Sequence, residues 1–329
     1  MKYNSLIEVI TTFADNKVCI DYLTQMRWKD GKVNCVHCNH DKVYELKGAN
    51  KRFKCSKCRG QFSATKGSIF ENSPVSLQKW FIALYIHTSH KKGISSHQLA
   101  KDIDVTQKTA WFMLHRLRFA LQTGSFEHKE DGIIEVDETF VGGKEKNKHQ
   151  SVKTTKMPTV SLMTAGKPFS TWKDKKVAVL GLMERDGSVT AKVVPNVQEK
   201  TLLPFIKENV SKGAIVMTDE YLGYHSLNDL GYVHQTVKHS AGEYVRGNVH
   251  TNGIENFWSQ FKRGIYGVYH HCSPKHLNSY IDEFEYRFNT RKISEAQRFQ
   301  KCVSLSSKRL TYKDLIAHNG KESKPIITA

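Results

Sequence analysis

No apolar run in this chain is long enough to cross a bilayer. The longest, such as Val177 to Met183, fall far short of the ~18 residues that a membrane-spanning helix needs. Met1 to Asp15 lacks the charged-then-apolar order of a signal peptide, so a cytoplasmic location with no membrane partner is expected. Acidic residues are in deficit: 32 Asp and Glu stand against 50 Lys and Arg, a net charge of +18. Such a surface favours a polyanion as partner, and no basic amphipathic helix with an aromatic face turns it toward a lipid surface. A disulfide framework is missing too. The seven cysteines are an odd number, and four of them form two close pairs, which points to metal ligation in a reducing compartment. The other three, Cys19, Cys272 and Cys302, read as small, partly buried side chains. Neither an internal repeat nor a low-complexity segment is evident, and 329 residues suffice for two or three domains with a buried core.

Cys35-Val-His-Cys38 and Cys55-Ser-Lys-Cys58 enclose 16 residues, inside the spacing at which two Cys-x-x-Cys turns close one tetrahedral Zn²⁺ site. Lys42 to Leu46, Arg52 to Lys54 and Gln61 to Ala64 read as short strands, giving a zinc ribbon whose small core needs its metal. Two pairs at this distance favour zinc over a redox role, and His37 and His40 are bystanders once four thiolates complete the shell.

Ser76 to Thr88 has helical periodicity through Leu77, Trp80, Phe81, Leu84 and Tyr85. A helix-turn-helix pattern follows. Leu99 and Ile103 face inward, Ala100 lets the two helices approach, Val105 fills the turn and Thr106 caps a second helix over Gln107 to Leu121. Ala110, Met113, Leu114 and Leu117 are its inward side chains, leaving Gln107, Lys108, His115, Arg116 and Arg118 outside as candidate DNA contacts. Asp104 stands at the turn, where glycine is common, and a purely structural helical bundle is the other reading of this segment.

After a polar stretch from Gly124 to Asp131, strand-like and helical runs alternate. Ile133 to Val141 reads as a strand with Ile134, Val136 and Phe140 on one face and Glu135 and Asp137 on the other. Val177 to Met183 and Val189 to Val194 are joined by the Asp186-Gly187 hairpin signal. Glu199 to Val210 is helical, and Ala214 to Thr218 and Tyr232 to Lys238 are further strands. The order β-β-β-α-β-α-β-α is that of an RNase H-like α/β fold, a mixed sheet flanked by helices. The residues therefore divide as 1–66 with the ribbon, 67–126 with the helix-turn-helix, 127–295 with the mixed sheet, and a basic tail over 296–329. Residues 143–176 form an insertion with nine lysines and two acidic residues. It is either a solvated charge run or a phosphate contact.

Three acids carry the chemistry in this reading: Asp137 in the first strand, Asp219 at the end of a second run, and Glu255 near the start of an amphipathic helix. They are spaced Asp137-x81-Asp219-x35-Glu255. Phosphodiester cleavage needs an activated oxygen nucleophile on one side of phosphorus and a stabilised leaving oxygen on the other, and two divalent ions ~4 Å apart supply both. Carboxylates from separate segments suit Mg²⁺ or Mn²⁺. With no ion among them, three clustered acids repel one another and raise their own proton affinities. On the helix, Asn252, Glu255, Ser259 and Lys262 share one face while Ile254, Phe257, Trp258 and Phe261 mark a packing surface. Glu138 and Glu220 are adjacent decoys that point away if their strands persist.

The strand Val-Asp-Glu-Thr-Phe-Val-Gly-Gly143, the Thr218-Asp219-Glu220 element, the Asn252 to Lys262 helix and the closing segment Tyr280 to Arg291 together resemble the DDE transposases of bacterial insertion sequences. The subgroup most similar places a zinc ribbon and a helix-turn-helix before an RNase H-like catalytic domain, and the resemblance spans roughly residues 18 to 292. It implies that Asp137, Asp219 and Glu255 bind two Mg²⁺ ions, that Lys262 holds the DNA backbone, and that the amino-terminal modules recognise terminal inverted repeats. Some members have asparagine as third ligand, so Asn252 is the reserve candidate. It further implies hydrolysis at the element end, direct attack of the freed 3′-hydroxyl on target DNA, and a homo-oligomer that brings two ends together. A regulator derived from such an enzyme, and a nuclease that hydrolyses without joining, are the competing readings. Only the resemblance separates the nuclease from the transposase.

Overall fold

Two units organise the chain: Met1–Ser125 with Tyr266–Tyr269 and Asp282–Ala329, and Phe126–Ile265 with His270–Ile281. The computed structural model describes residues 3, 5–48, 51–122, 132–142, 176–243 and 245–317. Apart from Lys176, the basic insertion expected over 143–176 lies outside the described residues, as do the polar stretch 124–131 and the end of the tail.

Side-chain caps set the helix starts in the first unit. Ser5 accepts from the Glu8 N–H to begin α1 (Leu6–Thr12), and Asp15 accepts from the Lys17 N–H to begin α2 (Asn16–Arg27). The ribbon strands β1 (Val43–Leu46), β2 (Arg52–Cys55) and β3 (Gln61–Ser63) pair antiparallel in sequence order, burying Phe53 and Phe62 beside Cys35 and Cys55. Ser76, Ser95 and Thr106 then cap α3 (Leu77–Ser89), α4 (Ser96–Asp102) and α5 (Gln107–Leu121). The core is aromatic: Phe13 meets Phe81 edge-on at 4.7 Å between centroids and stacks on Phe299 at 5.8 Å.

The α4–α5 pair turns as the sequence reading expects, with Leu99, Ala100 and Ile103 buried. Asp104 occupies the turn at φ +50°, the left-handed region that glycine favours and that aspartate tolerates, so the missing glycine is no obstacle. Three of the candidate DNA contacts are not outside. His115, Arg116 and Arg118 are buried, Arg118 at 1% exposure. The Arg116 guanidinium donates to the carbonyls of Ile69 at 2.8 Å, Glu71 at 3.2 Å and Leu310 at 3.1 Å. Arg118 Nε donates at 2.6 Å to Glu283, which also pairs with Arg287. These arginines are spent on satisfying buried acceptors of their own unit. Gln107 is half-buried and donates to Ser96 Oγ at 2.8 Å, which leaves Lys108 as the exposed member of the set.

The second unit holds a five-stranded sheet of order β6-β5-β4-β7-β8. Strand β4 (Ile133–Val141) lies at its centre, antiparallel to β5 (Val177–Glu184) and parallel to β7 (Ile215–Thr218). Strand β6 (Val189–Val194) pairs antiparallel with β5, and β8 (Val233–Thr236) parallel with β7. This is an RNase H-like mixed sheet. Asp186 turns the β5–β6 hairpin at φ +61°. Helix α6 (Glu199–Asn209) buries Leu202 and Ile206 in one core with Ile134, Val136, Leu180 and Val216. On the other face α7 (Asn252–Gly264) lies so close that a Cβ on Gly181 would stand 2.4 Å from the Trp258 ring. One element differs from the sequence reading. The helix between β7 and β8 is a six-residue 3-10 turn, Leu222–Leu227, rather than an α-helix.

Helix α8 (Leu277–Asn289) begins in the second unit and ends in the first, followed by α9 (Glu295–Ser304) and α10 (Tyr312–Ile316). Residues 296–304, assigned to the tail by sequence, form the body of α9 and bury Phe299, Cys302 and Val303. Among the described residues no helix is long and apolar enough to cross a membrane.

Candidate active site and metal centre

In the ribbon, left-handed residues Asn39 at φ +53° and Arg59 at φ +57° follow the two Cys-x-x-Cys turns and curl them toward each other. Cys35 Sγ lies 3.6 Å from Cys58 Sγ, and Cys38 Sγ 3.7 Å from Cys55 Sγ. Four sulfurs about 2.3 Å from a central Zn²⁺ at tetrahedral angles are separated by about 3.8 Å, so the thiol set fits that ion. The backbone N–H groups of His37 and Lys57 point at Cys35 Sγ and Cys55 Sγ at 3.4 and 3.3 Å, as they would to support thiolates. His37 is exposed and stands beside the site. Among the described residues this is the one His, Cys, Asp or Glu group of three or more whose ligand atoms all lie within 4.8 Å of one another.

The three acids belong to the second unit and come from three elements. Asp137 sits in the middle of β4, opposite Gly181 of β5. Asp219 is the first residue beyond β7, and its Oδ1 accepts from the Tyr221 N–H at 3.0 Å. Glu255 lies in the first turn of α7, exposed, with Oε1 accepting from Thr251 Oγ1 at 2.9 Å. They are neighbours by charge, though not drawn within 4.8 Å of one another. The Asp137 carboxyl is pushed up to about 6, first by burial and then by the negative charges of Asp219 and Glu255. The Glu138 N–H opposes that shift, as does the Trp258 indole N–H, which makes no hydrogen bond within ordinary distance. Asn252, the reserve ligand, is exposed at the first position of α7, and Lys262 is half-buried in its last turn. Ile254, Phe257, Trp258 and Phe261 are the buried face of this helix.

The two decoys behave differently. Glu220 is exposed and turned aside, accepting from the Ser240 N–H at 3.1 Å and Oγ at 2.8 Å. Glu138 faces Tyr224 on the opposite side of the sheet, yet it remains within the field of the site. Burial foremost, then Asp137 and Asp219, lift its carboxyl to about 7 against the pull of the Tyr224 hydroxyl.

A fourth acid, Glu135, shares the Asp137 face of β4, as strand alternation requires, and has no expected role in the sequence. It is 2% exposed and fully engaged. Its Oε2 accepts from the Ile254 N–H of α7 at 3.0 Å, and its Oε1 meets Arg185 Nη2 at 3.1 Å and His250 Nδ1 at 3.3 Å. The sequence signal for it is faint: an arginine directly after β5, and Gly253, where a Cβ would stand 2.7 Å from Glu135 Oε2.

A mixed sheet of RNase H-like topology with acids at its strands, in one chain with a four-cysteine ribbon, is an architecture suited to nucleic-acid strand chemistry, and comparison with known proteins assigns the class of transposase. The chain belongs to the ISXO2-like transposase family. The model of the ISXO2-like transposase domain matches residues 129–289, and that of the transposase zinc-ribbon domain matches 14–61. A relative from Halobacterium salinarum, described as an uncharacterized protein in transposable element ISH50, is 30% identical over 285 residues, covering 84% of this chain and 92% of the relative. An uncharacterized transposase-like protein of Haemophilus influenzae is 38% identical over 101 residues, 31% of this chain and 80% of its own length. Among solved structures, the Mos1 transposase paired-end complex with left transposon end covers 70% of this chain and 80% of its own at 13% identity, with a TM-score of 0.28. No residue correspondence follows from so loose a likeness.

Proposed function

We propose that this transposase binds the terminal inverted repeats of its element and catalyses divalent-metal-dependent cleavage and strand transfer, with Asp137, Asp219 and Glu255 as the ligands. The observation that carries this reading is the placement of the three acids: Asp137 on the central strand β4, Asp219 directly beyond the neighbouring parallel strand β7, and Glu255 in the first turn of α7, whose Ile254 and Trp258 pack on Gly181 opposite Asp137. Three carboxylates from β4, the end of β7 and the start of α7 are a hard oxygen donor set that suits Mg²⁺ or Mn²⁺. When bound, such a pair of ions activates the attacking oxygen and stabilises the leaving one.

The chain's own side chains bind and orient. Lys262 stands seven residues beyond Glu255, about 10.5 Å along α7 at 1.5 Å per residue, and holds a backbone phosphate on the same face. Trp258 and Ile254 pack against Gly181, fixing α7 on the sheet directly beside Asp137. Lys108, at the start of α5, is the exposed helix-turn-helix residue of the candidate set left to meet DNA, with the ribbon as a second recognition module. Two copies of the chain would hold two element ends together.

Terminal-repeat DNA incubated with Mg²⁺ tests the reading. Wild-type protein is expected to nick the element end and join it to target DNA, and Asp137→Asn to do neither. Equal products from both proteins would remove the claim. Specific binding without cutting in either Mg²⁺ or Mn²⁺ would return the chain to a regulator, and cutting without joined product to a nuclease.

A further inference from the structure

We infer that Glu135 is a positioning residue for the third acid: a buried clamp of Glu135, Arg185 and His250 holds the start of α7 against β4, and so sets Glu255 relative to Asp137. The inference rests on the proposed triad and adds residues to it.

The first turn of a helix carries N–H groups with no partner inside the helix, and they favour a carboxylate. Thr251, at the N-cap of α7, makes no side-chain cap bond and instead donates its hydroxyl to Glu255. The cap comes from the sheet, where Glu135 Oε2 accepts from the Ile254 N–H at 3.0 Å. Its second oxygen takes the Arg185 guanidinium through Nε at 3.3 Å and Nη2 at 3.1 Å, with His250 Nδ1 at 3.3 Å. Arg185 also donates to the carbonyls of Asn248 at 2.7 Å and His250 at 3.2 Å, tying down the segment that leads into the helix. Both Glu135 oxygens are thus committed at 2% exposure, which sets this carboxylate apart from the proposed ligands. The connection is short. Glu135 is two residues before Asp137 on one face of β4, and Ile254 is the residue before Glu255. Gly253 completes the fit, because a Cβ there would meet Glu135 Oε2 at 2.7 Å and Met183 Sδ at 3.0 Å.

Mn²⁺ binding to the full chain, with zinc in its ribbon, tests the clamp by the electron paramagnetic resonance signal of free Mn²⁺. Loss of a group that orients metal ligands typically weakens binding by about 10–100-fold. Glu135→Ala and Gly253→Ala are expected to weaken Mn²⁺ binding by at least about 10-fold while zinc content and circular dichroism stay as in wild type. Glu135→Gln keeps one acceptor for the Ile254 N–H but turns its amide N–H groups on Arg185 and His250, and is expected to bind Mn²⁺ between wild type and Glu135→Ala. If Glu135→Ala does not fold, Gly253→Ala, which leaves Glu135 intact, decides. Wild-type Mn²⁺ affinity in the folded variant, alongside weakened binding in Glu255→Gln, would overturn the clamp and leave the triad standing. Unchanged binding in Glu255→Gln would remove the triad and the clamp together.

Discussion

Replacing Asp137 by asparagine is expected to abolish strand cleavage and, in the absence of added divalent ions, to make the second unit more stable. The Asp137 carboxyl is raised from 3.8 to about 6, chiefly by burial and then by Asp219 and Glu255. At 1.36 kcal/mol per unit, a shift of about 2 units is a penalty of about 3 kcal/mol on the ionised folded state. Because the folded value lies above the unfolded one, the penalty is small below about pH 4, grows as pH rises through the interval up to about 6, and is complete above it. Asparagine is nearly the same shape and carries no charge. It still buries an amide, so the net gain at pH 8 is about 1–2.5 kcal/mol, or about 3–8 °C in the transition of a domain this size. Linkage reduces the penalty to about 1 kcal/mol at pH 4.5, so that after the same amide cost the gain there is about zero. Scanning calorimetry at both pH values, in buffer freed of divalent ions but without chelator so that the ribbon keeps its zinc, reads the difference. Added Mg²⁺ is expected to raise the wild-type transition and leave the variant where it was. A variant less stable than wild type at pH 8, or equally stabilised at both pH values, would refute the electrostatic account of the site.

In the ribbon, Cys38→Ser is expected to lower zinc content from about one ion per chain toward none and to unfold β1 to β3, as read by metal analysis and proteolysis of that segment. Arg118→Ala is expected to cost about 3–5 kcal/mol in denaturant unfolding, because it leaves Glu283 buried with one cation fewer. The salt dependence of DNA binding should stay unchanged in the folded variant, and a shallower slope would put Arg118 back on the DNA. Lys262→Ala should do the opposite, keeping its melting temperature while the logarithmic salt slope falls by about one.

The ribbon was legible because a local spacing contains it: each Cys pair closes over two residues and the pairs meet across 16. The central strand was legible for a related reason, since alternation along Ile133–Val141 puts Ile134 and Val136 in one core and Asp137 on the other face. Arg116 and Arg118 were misplaced because a cation on a helix reads as solvated unless its partners are known. Those partners, Ile69, Leu310 and Glu283, are 47, 194 and 165 residues away. The role of Glu135 is illegible for the same reason, its partners Arg185 and Ile254 lying 50 and 119 residues away. Where polar partners are distant in sequence, neither periodicity nor spacing reports them.

Anomalous scattering at the manganese edge, from crystals of this protein grown with Mn²⁺, tests the central claim most directly. The account predicts manganese peaks ligated by the carboxylates of Asp137, Asp219 and Glu255, with Glu135 still bound to the Ile254 N–H and outside the coordination shell. Manganese found elsewhere, or those three carboxylates too far apart to share an ion, would contradict it.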